Sequence, residues 1–565
     1  MFRPRVAACV LAVFCGLVSL GLAGDRLGGS DEGAMLTAAS RILDGGVFYR
    51  DVDAYPFPGS HYALAAVMGA FGEHLAVARA LAAVVFAGIV LSLYSAALVL
   101  LGPVRAALFG LALLSFKVLA WPGFTGFYYW DFAFLGACVA AAFLVRHRPG
   151  GPLRGLVLAG IGAGVALTGK QSLGLYVAAA AGLLLVFPRL WPGPERTPAA
   201  TRAREIAAFA LGAAIPVVPL VLFLSAQGLF VEMIQSGLVR PFTDYLGTSG
   251  IPFSVPLRWW EWGSLVGAPG GFAYLPEPYW NLLYREVLPG RDGSGVYAFA
   301  GELFVRALYT SLPLIGLGAC ALVARAVRRG DGTQRAYAIA AVLTLAAALS
   351  AFPRADFAHV IGVYPLVLLV GMATVSRLVP KAGQGGLVAL EAAGIVLGLA
   401  ACSGLAVLQH RSLTERLDLD RASLRVAPED AFVGPVVRAA RARVPEGEAL
   451  FVYGNEAFYY FLADRYSPWR FSQLYPGQTG SDGGRELVAR LTERPPALVI
   501  RGFVRFPGVP AIPDYAPALD AFVRSRYRPD TGVFRGDPPP GGIVPAARYL
   551  SILEPRPLHP SRPVQ

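Results

Sequence analysis

Long apolar stretches separated by short polar connections dominate the chain up to about residue 408. A helix needs about 17–25 such residues to cross the hydrocarbon core of a bilayer. The first stretch also resembles a signal peptide, because Arg3 and Arg5 precede it and Leu22-Ala23-Gly24 resembles a cleavage site. On either interpretation residue 25 lies outside the bilayer. The pattern predicts about eleven transmembrane helices, at residues 6–23, 76–101, 104–121, 128–145, 153–170, 172–188, 205–225, 302–324, 335–352, 357–376 and 385–408.

The pattern changes after residue 408 to short, mostly polar segments of alternating type. Such alternation predicts a small α/β domain at residues 409–565, following an all-α polytopic membrane unit at residues 1–408. The domain shows no phosphate-binding glycine fingerprint and no Ser/His/Asp arrangement, so we expect it to act as a lid or a partner-binding module. The predicted helices are Val436–Val444 and Glu486–Leu491, and the predicted strands are Ala449–Tyr453 and Ala497–Ile500.

Composition supports a membrane protein. Of the 565 residues, 55% are hydrophobic and 15% are charged, with a mean hydropathy of +0.54. Soluble domains carry about 25% charged residues. The net charge of +12 does not indicate nucleic-acid binding, because membrane proteins concentrate cations in cytoplasmic loops. The five cysteines fall inside apolar stretches without metal-ligand spacing, so we interpret them as small apolar residues.

The distribution of arginine predicts the orientation in the membrane. Arginine-rich short connections occur at every second position along the series of spans, and the positive-inside rule places them in the cytoplasm. The N-terminus is then cytoplasmic, while the first loop (24–75), the long loop (226–301) and the C-terminal domain are extracytoplasmic. Frequent arginine with few lysines is typical of a GC-rich bacterial genome, which suggests a multi-pass protein of the bacterial inner membrane.

Acidic residues cluster in the first loop. Ser30-Asp31-Glu32-Gly33 is followed by Tyr49-Arg50-Asp51-Val52-Asp53-Ala54-Tyr55-Pro56. A carboxylate at a membrane surface suits a general base that takes the proton of an acceptor hydroxyl. We therefore predict Asp31 and Glu32 as catalytic residues, and Asp51, Asp53 and Tyr55 as substrate-binding residues. The alternative is a solvated loop in which Asp31 caps the next helix.

Two lysines lie near the outer ends of predicted spans, at Lys117 and Lys170, the latter followed by Gln171. A compact ammonium suits a phosphate, so we predict all three residues as substrate-binding. The alternative is that the lysines extend their ammonium groups to the interface.

The outer turn Phe352–His359 contains a further charged group. We predict that Arg354 binds a phosphate and that Asp356 orients His359; the alternative is a helix cap with a local ion pair. The aromatic turn Tyr128-Tyr129-Trp130-Asp131 either lines the same cavity or belongs to the interfacial aromatic belt, and we favour the belt.

The combined motifs resemble the GT-C membrane glycosyltransferases, most closely the branch of protein mannosyltransferases and aminoarabinose transferases. The resemblance covers roughly residues 6–410. It rests on the acidic first loop, Leu43-Asp44-Gly45-Gly46-Val47-Phe48-Tyr49-Arg50-Asp51, Tyr55-Pro56-Phe57-Pro58-Gly59-Ser60-His61-Tyr62, Ala78-Arg79 and Leu167-Thr168-Gly169-Lys170-Gln171.

The resemblance implies inverting transfer of a sugar from a polyprenyl-phosphate carrier to a lipid, glycan or protein acceptor. Membrane lipids would surround the protein, and nucleic acid would not be a partner. The proposed base of the family corresponds to Asp31, with Glu32 beside it, and its second acid corresponds to either Asp51 or Asp53. Some relatives bind a divalent cation, but no firm ligand set is visible here, so we expect neither a metal nor a cofactor.

Two alternatives remain from the sequence. A transporter or flippase of a lipid-linked or anionic substrate would use buried charges as a substrate path, but the chain shows no internal repeat and its acids cluster at one face. A non-catalytic membrane scaffold would leave the acidic loop without a role.

Overall fold

The computed structural model describes residues 4–120, 125–187, 198–253, 296–480, 482–502, 509–530 and 550–556. Each of the eleven predicted spans coincides with a helix. Among the described residues, six helices are long and apolar enough to cross a membrane. The protein is therefore a multi-pass membrane protein. The eleven helices are α1 (Pro4–Gly21), α4 (Leu75–Leu101), α5 (Pro103–Ala120), α6 (Tyr129–Arg146), α7 (Leu153–Gly169), α8 (Gln171–Val186), α9 (Ala199–Ala226), α12 (Val296–Arg329), α13 (Arg335–Leu349), α14 (Phe357–Leu378) and α15 (Gln384–Ser412).

Helix α7 occupies the centre of the bundle, between α6 and α9. The small residues Gly160, Gly162 and Gly164 make this packing possible, as the sequence indicates. A Cβ added at Gly162 would lie 2.5 Å from the carbonyl oxygen of Gly136 on α6, and one at Gly160 would lie 2.1 Å from that of Phe209 on α9. Backbone contact on both sides fixes α7, and with it Lys170 at its C-terminal end.

Two short helices lie in the first loop, α2 (Ser30–Leu43) and α3 (Gly59–Phe71). Both are too short to cross a bilayer. Between α9 and α12 the described chain continues through α10 (Phe230–Ile234), two π-helical turns (Gln235–Val239 and Pro241–Tyr245) and α11 (Leu246–Ser249). Residues 254–295 of the predicted long loop lie outside the described ranges.

The C-terminal region contains two sheets. Strands β1 (Glu415–Leu419) and β2 (Ala422–Val426) form an antiparallel hairpin. A four-stranded sheet has the order β3-β4-β6-β5, with β3 parallel to β4 and the other pairs antiparallel. Its strands are β3 (Leu450–Tyr453), β4 (Leu498–Gly502), β5 (Tyr527–Pro529) and β6 (Leu550–Pro555), and the helices are α16 (Val433–Arg443), α17 (Phe458–Ala463), α18 (Arg485–Glu493), α19 (Ile512–Tyr515) and α20 (Pro517–Arg526).

Alternate residues of the central strands enter two different cores. Leu450 and Val452 join the core that contains α16, while Phe451 and Tyr453 join the core that contains α18 and α20. This two-sided burial follows from the period of two along a strand. Helices therefore cover both faces of the sheet, and the expected α/β fold of this region is confirmed. The proline-rich segments at residues 536–542 and 557–565 lie outside the described ranges.

The C-terminal region docks on the first loop and on the start of α4. Thr37 of α2 donates a hydrogen bond from Oγ1 to the carbonyl oxygen of Ala457 over 2.9 Å. The backbone N–H of Leu75 donates to the carbonyl of Arg421 over 2.8 Å, and that of Arg425 donates to the carbonyl of Gly24 over 2.9 Å. Backbone bonds of this kind hold the region against the membrane unit at several separate points.

Candidate functional site

The first acidic pair lies in the first turn of α2, and its two members have different surroundings. Consecutive residues of a helix point about 100° apart. Glu32 points into the protein and is fully buried, whereas the Asp31 side chain is accessible to water. The helix therefore places two neighbouring carboxylates in different environments.

Glu32 forms a buried, bidentate ion pair with Arg79 of α4. The guanidinium donates from Nε to Oε1 and from Nη2 to Oε2, each over 2.9 Å. Arg79 also donates to the carbonyl oxygens of Ala23 and Arg26, over 2.7 and 2.9 Å. A Cβ at Gly126 would lie 2.3 Å from Oε1 of Glu32, so only glycine leaves room for this carboxylate. The pair ties the first loop to α4 and places Glu32 in a structural position.

Asp31 faces residues from distant parts of the chain. The side-chain amide of Gln473 donates from Nε2 to Oδ1 of Asp31 over 3.2 Å and to Oγ of Ser30 over 2.9 Å. Although the side chain reaches water, nearby protein atoms desolvate the carboxylate, and this desolvation raises the pKa of Asp31. The hydrogen bond from Gln473 opposes the rise in pKa, and so do the electrostatic interactions with His359 and Arg354. A water-accessible carboxylate within protein walls is suited to accept a proton.

The turn before α14 lies close enough to Asp31 for its charged groups to interact with that carboxylate. Arg354 donates from Nε to Oδ2 of Asp356 over 2.5 Å, and Nδ1 of His359 lies 2.7 Å from Oδ1 of the same carboxylate. Asp356 also caps α14 by accepting from the backbone N–H of His359 over 3.1 Å. Burial disfavours the carboxylate, but His359 and Arg354 hold the pKa of Asp356 well below its usual range. The turn is therefore a connected group in which the Asp356 carboxylate contacts both Arg354 and His359.

Lys170 and Gln171, at the junction of α7 and α8, have separate contacts. Lys170 donates from Nζ to the carbonyl of Ser350 over 3.0 Å and interacts electrostatically with Asp356. Gln171 accepts from the backbone N–H of Phe57 over 3.2 Å and donates to the carbonyl of Tyr55 over 2.9 Å. Lys170 thus joins the turn before α14, while Gln171 connects the first loop to the bundle.

The second acidic pair is divided in the same way as the first. Asp51 accepts from the backbone N–H of Val47 over 2.8 Å and from Nε of Arg50 over 3.1 Å, and its side chain is 34% exposed. Asp53 is buried, and its Oδ2 accepts from Nη1 of Arg240 over 3.2 Å and lies 3.6 Å from Nε of Arg470. Asp51 therefore closes a local turn, and Asp53 is the member that meets distant cations.

The environment of Asp53 contains an unusual polar arrangement. Oγ of Ser236 donates to Oδ2 over 3.2 Å, but among the described residues Oδ1 has no hydrogen-bond partner. Burial raises the pKa of Asp53 to about 6, although Arg470 and Arg240 act in the opposite direction. Asp53 consequently titrates close to neutral pH.

The remaining predicted residues lie around these groups. Tyr55 donates from its hydroxyl to the carbonyl of Pro476 over 3.1 Å. Lys117 is buried, with Nζ 5.3 Å from the ring centre of Phe86, and interacts electrostatically with Asp131 and Glu32. It therefore lies near the Glu32–Arg79 ion pair.

The favoured expectation for the turn does not hold for Tyr128. This residue is only 7% exposed and interacts electrostatically with Glu32 and Asp31, so it packs beside the first acidic pair and does not face lipid. The prediction failed because aromatic residues at the end of a span have the same pattern in both locations.

An apolar cavity of about 390 Å³ lies between α7 and α9, close to the C-terminal end of α7. Thr168, two residues before Lys170, belongs to its wall, and α9 on its other side has most of its surface outside the core. The cavity is lined by Gly59, Tyr62, Phe132, Val165, Thr168, Pro216, Leu220 and Phe223. The described part of the chain holds no group of three or more His, Cys, Asp or Glu side chains that could bind a metal.

Sequence reasoning missed the contributions of the long loop and of the C-terminal region. Ser236 comes from the first π-helical turn and Arg240 lies between the two turns. Arg470 and Gln473 come from the strap, which we define as residues 467–478 between α17 and α18. π-helical turns occur often at functional sites, but no sequence pattern announces them. No periodic pattern distinguishes the four residues either, because their partners are at least 183 positions away in the chain.

Comparison with known proteins gives matches to solved structures; no family model and no curated protein matches the chain. The crystal structure of ArnT from Cupriavidus metallidurans in the apo state matches with a TM-score of 0.54 and 14% identity, over 96% of this chain and 97% of that chain. A second ArnT structure, bound to undecaprenyl phosphate, matches over the same shares with a TM-score of 0.48 and 16% identity. The archaeal oligosaccharyltransferase AglB from Archaeoglobus fulgidus, in complex with an inhibitory peptide and a dolichol-phosphate, has a TM-score of 0.45 and 13% identity, over 88% of this chain and 69% of that chain.

The likeness to ArnT, an aminoarabinose transferase of the GT-C superfamily, extends along nearly the whole of both chains. At 14% identity it shows a shared fold. The expectation of a GT-C-like membrane fold with a C-terminal α/β region is therefore confirmed.

Proposed function

We propose that the protein is a membrane glycosyltransferase that moves a sugar from a polyprenyl-phosphate carrier to an acceptor hydroxyl on the extracytoplasmic side of the membrane. The observation that carries this proposal is the electrostatic proximity of the water-accessible Asp31 to the charged turn of Arg354, Asp356 and His359. A proton acceptor close to cations that can bind a phosphate is what such a transfer requires.

The transfer is a single displacement at the anomeric carbon. Asp31 takes the proton of the acceptor hydroxyl, and the hydroxyl oxygen forms a bond to the anomeric carbon from the face opposite the phosphate. The bond between that carbon and the phosphate oxygen breaks, and polyprenyl phosphate leaves with the electron pair. Because the attack comes from the opposite face, the configuration at the anomeric carbon is inverted.

The departing phosphate is stabilised by Arg354 and Lys170. Arg354 is held by Asp356, so its guanidinium is oriented before the substrate arrives. Lys170 donates one hydrogen bond to the carbonyl of Ser350, and an ammonium group has three N–H donors. These two cations compensate the charge that develops on the leaving group.

The carrier tail occupies the apolar cavity. Thr168, two residues before Lys170, lines the cavity, and its walls at Val165, Leu220 and Phe223 are apolar. A hydrocarbon chain lying between α7 and α9 would end close to the C-terminal end of α7, where Lys170 follows. The orientation predicted from the arginine-rich loops puts this end of the bundle at the outer face.

The experiment is a transfer assay with purified protein in lipid nanodiscs. Labelled polyprenyl-phosphate hexoses and pentoses are offered together with lipid A, glycan or peptide acceptors. Formation of a labelled acceptor, with release of polyprenyl phosphate in equal amount, supports the proposal. Movement of a solute across proteoliposomes without sugar transfer would contradict it and favour a transporter.

A further inference from the structure

The strap reaches from the C-terminal region to the acids of the first loop. Three hydrogen bonds hold the strap within the C-terminal region. Inside the strap, Trp469 donates from Nε1 to the carbonyl of Gln478 over 2.7 Å. Leu474 donates its N–H to Oδ1 of Asn455 over 3.0 Å, and its carbonyl accepts from the Tyr515 hydroxyl over 2.5 Å. The strap is thus a supported segment.

The side of the strap that faces the membrane unit contacts the site at three positions. Gln473 bonds to Asp31 and Ser30, Arg470 lies next to Asp53, and the carbonyl of Pro476 accepts from Tyr55. Within the described ranges, Gln473 is the only group that donates a hydrogen bond to the Asp31 carboxylate. This contact joins residues 442 positions apart in the chain.

We propose that Gln473 is a positioning residue for sugar transfer: its side-chain amide holds Oδ1 of Asp31, so that Oδ2 faces the acceptor hydroxyl as an ionised proton acceptor. The inference rests on the proposed function and assigns part of the active site to the C-terminal region. The amide can serve in this way because a neutral N–H donor stabilises the carboxylate without neutralising it.

Several charged or titratable groups surround Asp31 besides Gln473. On its own helix the neighbour is Glu32, which is neutralised by Arg79. From the turn before α14, His359 and Arg354 favour the ionised form of Asp31, while Asp356 opposes it. Tyr128, before α6, interacts with the same carboxylate. All of these groups remain in place when Gln473 is replaced, so a change in titration can be assigned to the amide.

Docking of the C-terminal region does not depend on Gln473. The bond from Thr37 to Ala457 and the backbone bonds of Leu75 and Arg425 lie elsewhere on the interface. Replacement of Gln473 should therefore change the chemistry of Asp31 without detaching the strap.

The test is the pH profile of kcat for wild type, Gln473→Leu and Gln473→Glu. Asp31 must be ionised to act, so kcat falls on the acid side of its pKa. Loss of the hydrogen bond raises this pKa, and we expect the acid limb to move upward by about one unit in Gln473→Leu, with a roughly tenfold loss below the limb and recovery above it. The added negative charge of Gln473→Glu should move the limb further in the same direction.

The matched control is Gln478→Leu, in the same strap. Gln478 accepts through Oε1 from the backbone N–H of Tyr475 over 3.2 Å, within the strap itself. We expect this variant to lower the melting temperature while leaving the acid limb in place.

An unmoved limb in both Gln473 variants, or a loss of kcat that is equal at every pH, would overturn the inference. The Asp31→Asn variant separates this failure from that of the proposed function. Inactive Asp31→Asn with an unmoved limb refutes only the role of Gln473, whereas active Asp31→Asn refutes the assignment of the base itself.

Discussion

In both acidic pairs of the first loop, Asp31/Glu32 and Asp51/Asp53, the two carboxylates have different kinds of partner. In each pair one carboxylate makes a structural contact: Glu32 forms an ion pair with Arg79, and Asp51 accepts a hydrogen bond within a local turn. The other carboxylate meets residues from distant parts of the chain.

The two members that face the site nevertheless differ. Asp31 is accessible to water and accepts one hydrogen bond from an amide, whereas Asp53 is buried between Arg240 and Arg470. An accessible carboxylate can exchange protons with a substrate, while a buried carboxylate between two arginines holds segments together. Accessibility and partners therefore distinguish Asp31, the proposed base, from the buried Asp53, although the two pairs look alike in the sequence.

The largest effect is expected for Asp31→Asn. Removal of a general base lowers kcat by about 10²–10⁴-fold, and the melting temperature should change little because the side chain is accessible. Asp44→Asn, at the C-terminal end of the same helix, is the matched control and should keep wild-type activity. Full activity of Asp31→Asn in the transfer assay would remove the distinction between Asp31 and the other acids.

The next effect is on folding, for Glu32→Gln. Breaking a buried ion pair leaves the guanidinium of Arg79 without its counter-charge, and we expect a loss of about 3–5 kcal/mol in the free energy of unfolding. Thermal unfolding in detergent measures this loss. The double variant with Arg79→Met should be more stable than the single variant. A stable but inactive Glu32→Gln protein would instead assign Glu32 to the chemistry.

Asp53 should make stability depend on pH. Its pKa is raised from 3.8 in the unfolded chain to about 6 in the folded protein, so the folded state binds the proton more tightly. This contribution to stability is full below pH 4 and is lost as the pH rises through 6, a change on the order of 3 kcal/mol. Asp53→Asn should abolish this part of the slope in melting temperatures recorded between pH 4 and pH 7. Equal slopes for both proteins would show that Asp53 is not the titrating group.

The smallest effect is expected for Asp51→Asn. The side chain is partly exposed, and an asparagine oxygen can still accept from the backbone N–H of Val47. Such surface changes cost about 0.5 kcal/mol or less, and transfer activity should stay within about twofold of wild type. A loss as large as that of Asp31→Asn would place the second pair in the chemistry and contradict the division described above.

Local patterns in the sequence predicted the local features of the molecule. Each apolar stretch forms a helix, and its length and composition alone were sufficient to predict that helix. The turn of Arg354, Asp356 and His359 was predictable because the cap and the ion pairs lie within a few residues of one another.

The contacts that distinguish the acids were not predictable. Gln473 reaches Asp31, and Arg240 and Arg470 reach Asp53, only after the long loop and the C-terminal region have folded over α2. A single sequence contains no periodic signal for such pairings. The distinct environments of Asp31 and Glu32 likewise depend on how α2 is rotated, and packing of the helix against α3 and α17 decides that rotation.

The most direct test is a structure of the protein with a bound polyprenyl-phosphate sugar. We predict that the phosphate lies within hydrogen-bond distance of Arg354 and Lys170, that the first isoprene units enter the cavity next to Thr168, and that the sugar lies between the phosphate and Asp31. A carrier bound at the opposite end of the helices, or with its sugar beside the Glu32–Arg79 ion pair, would contradict the account.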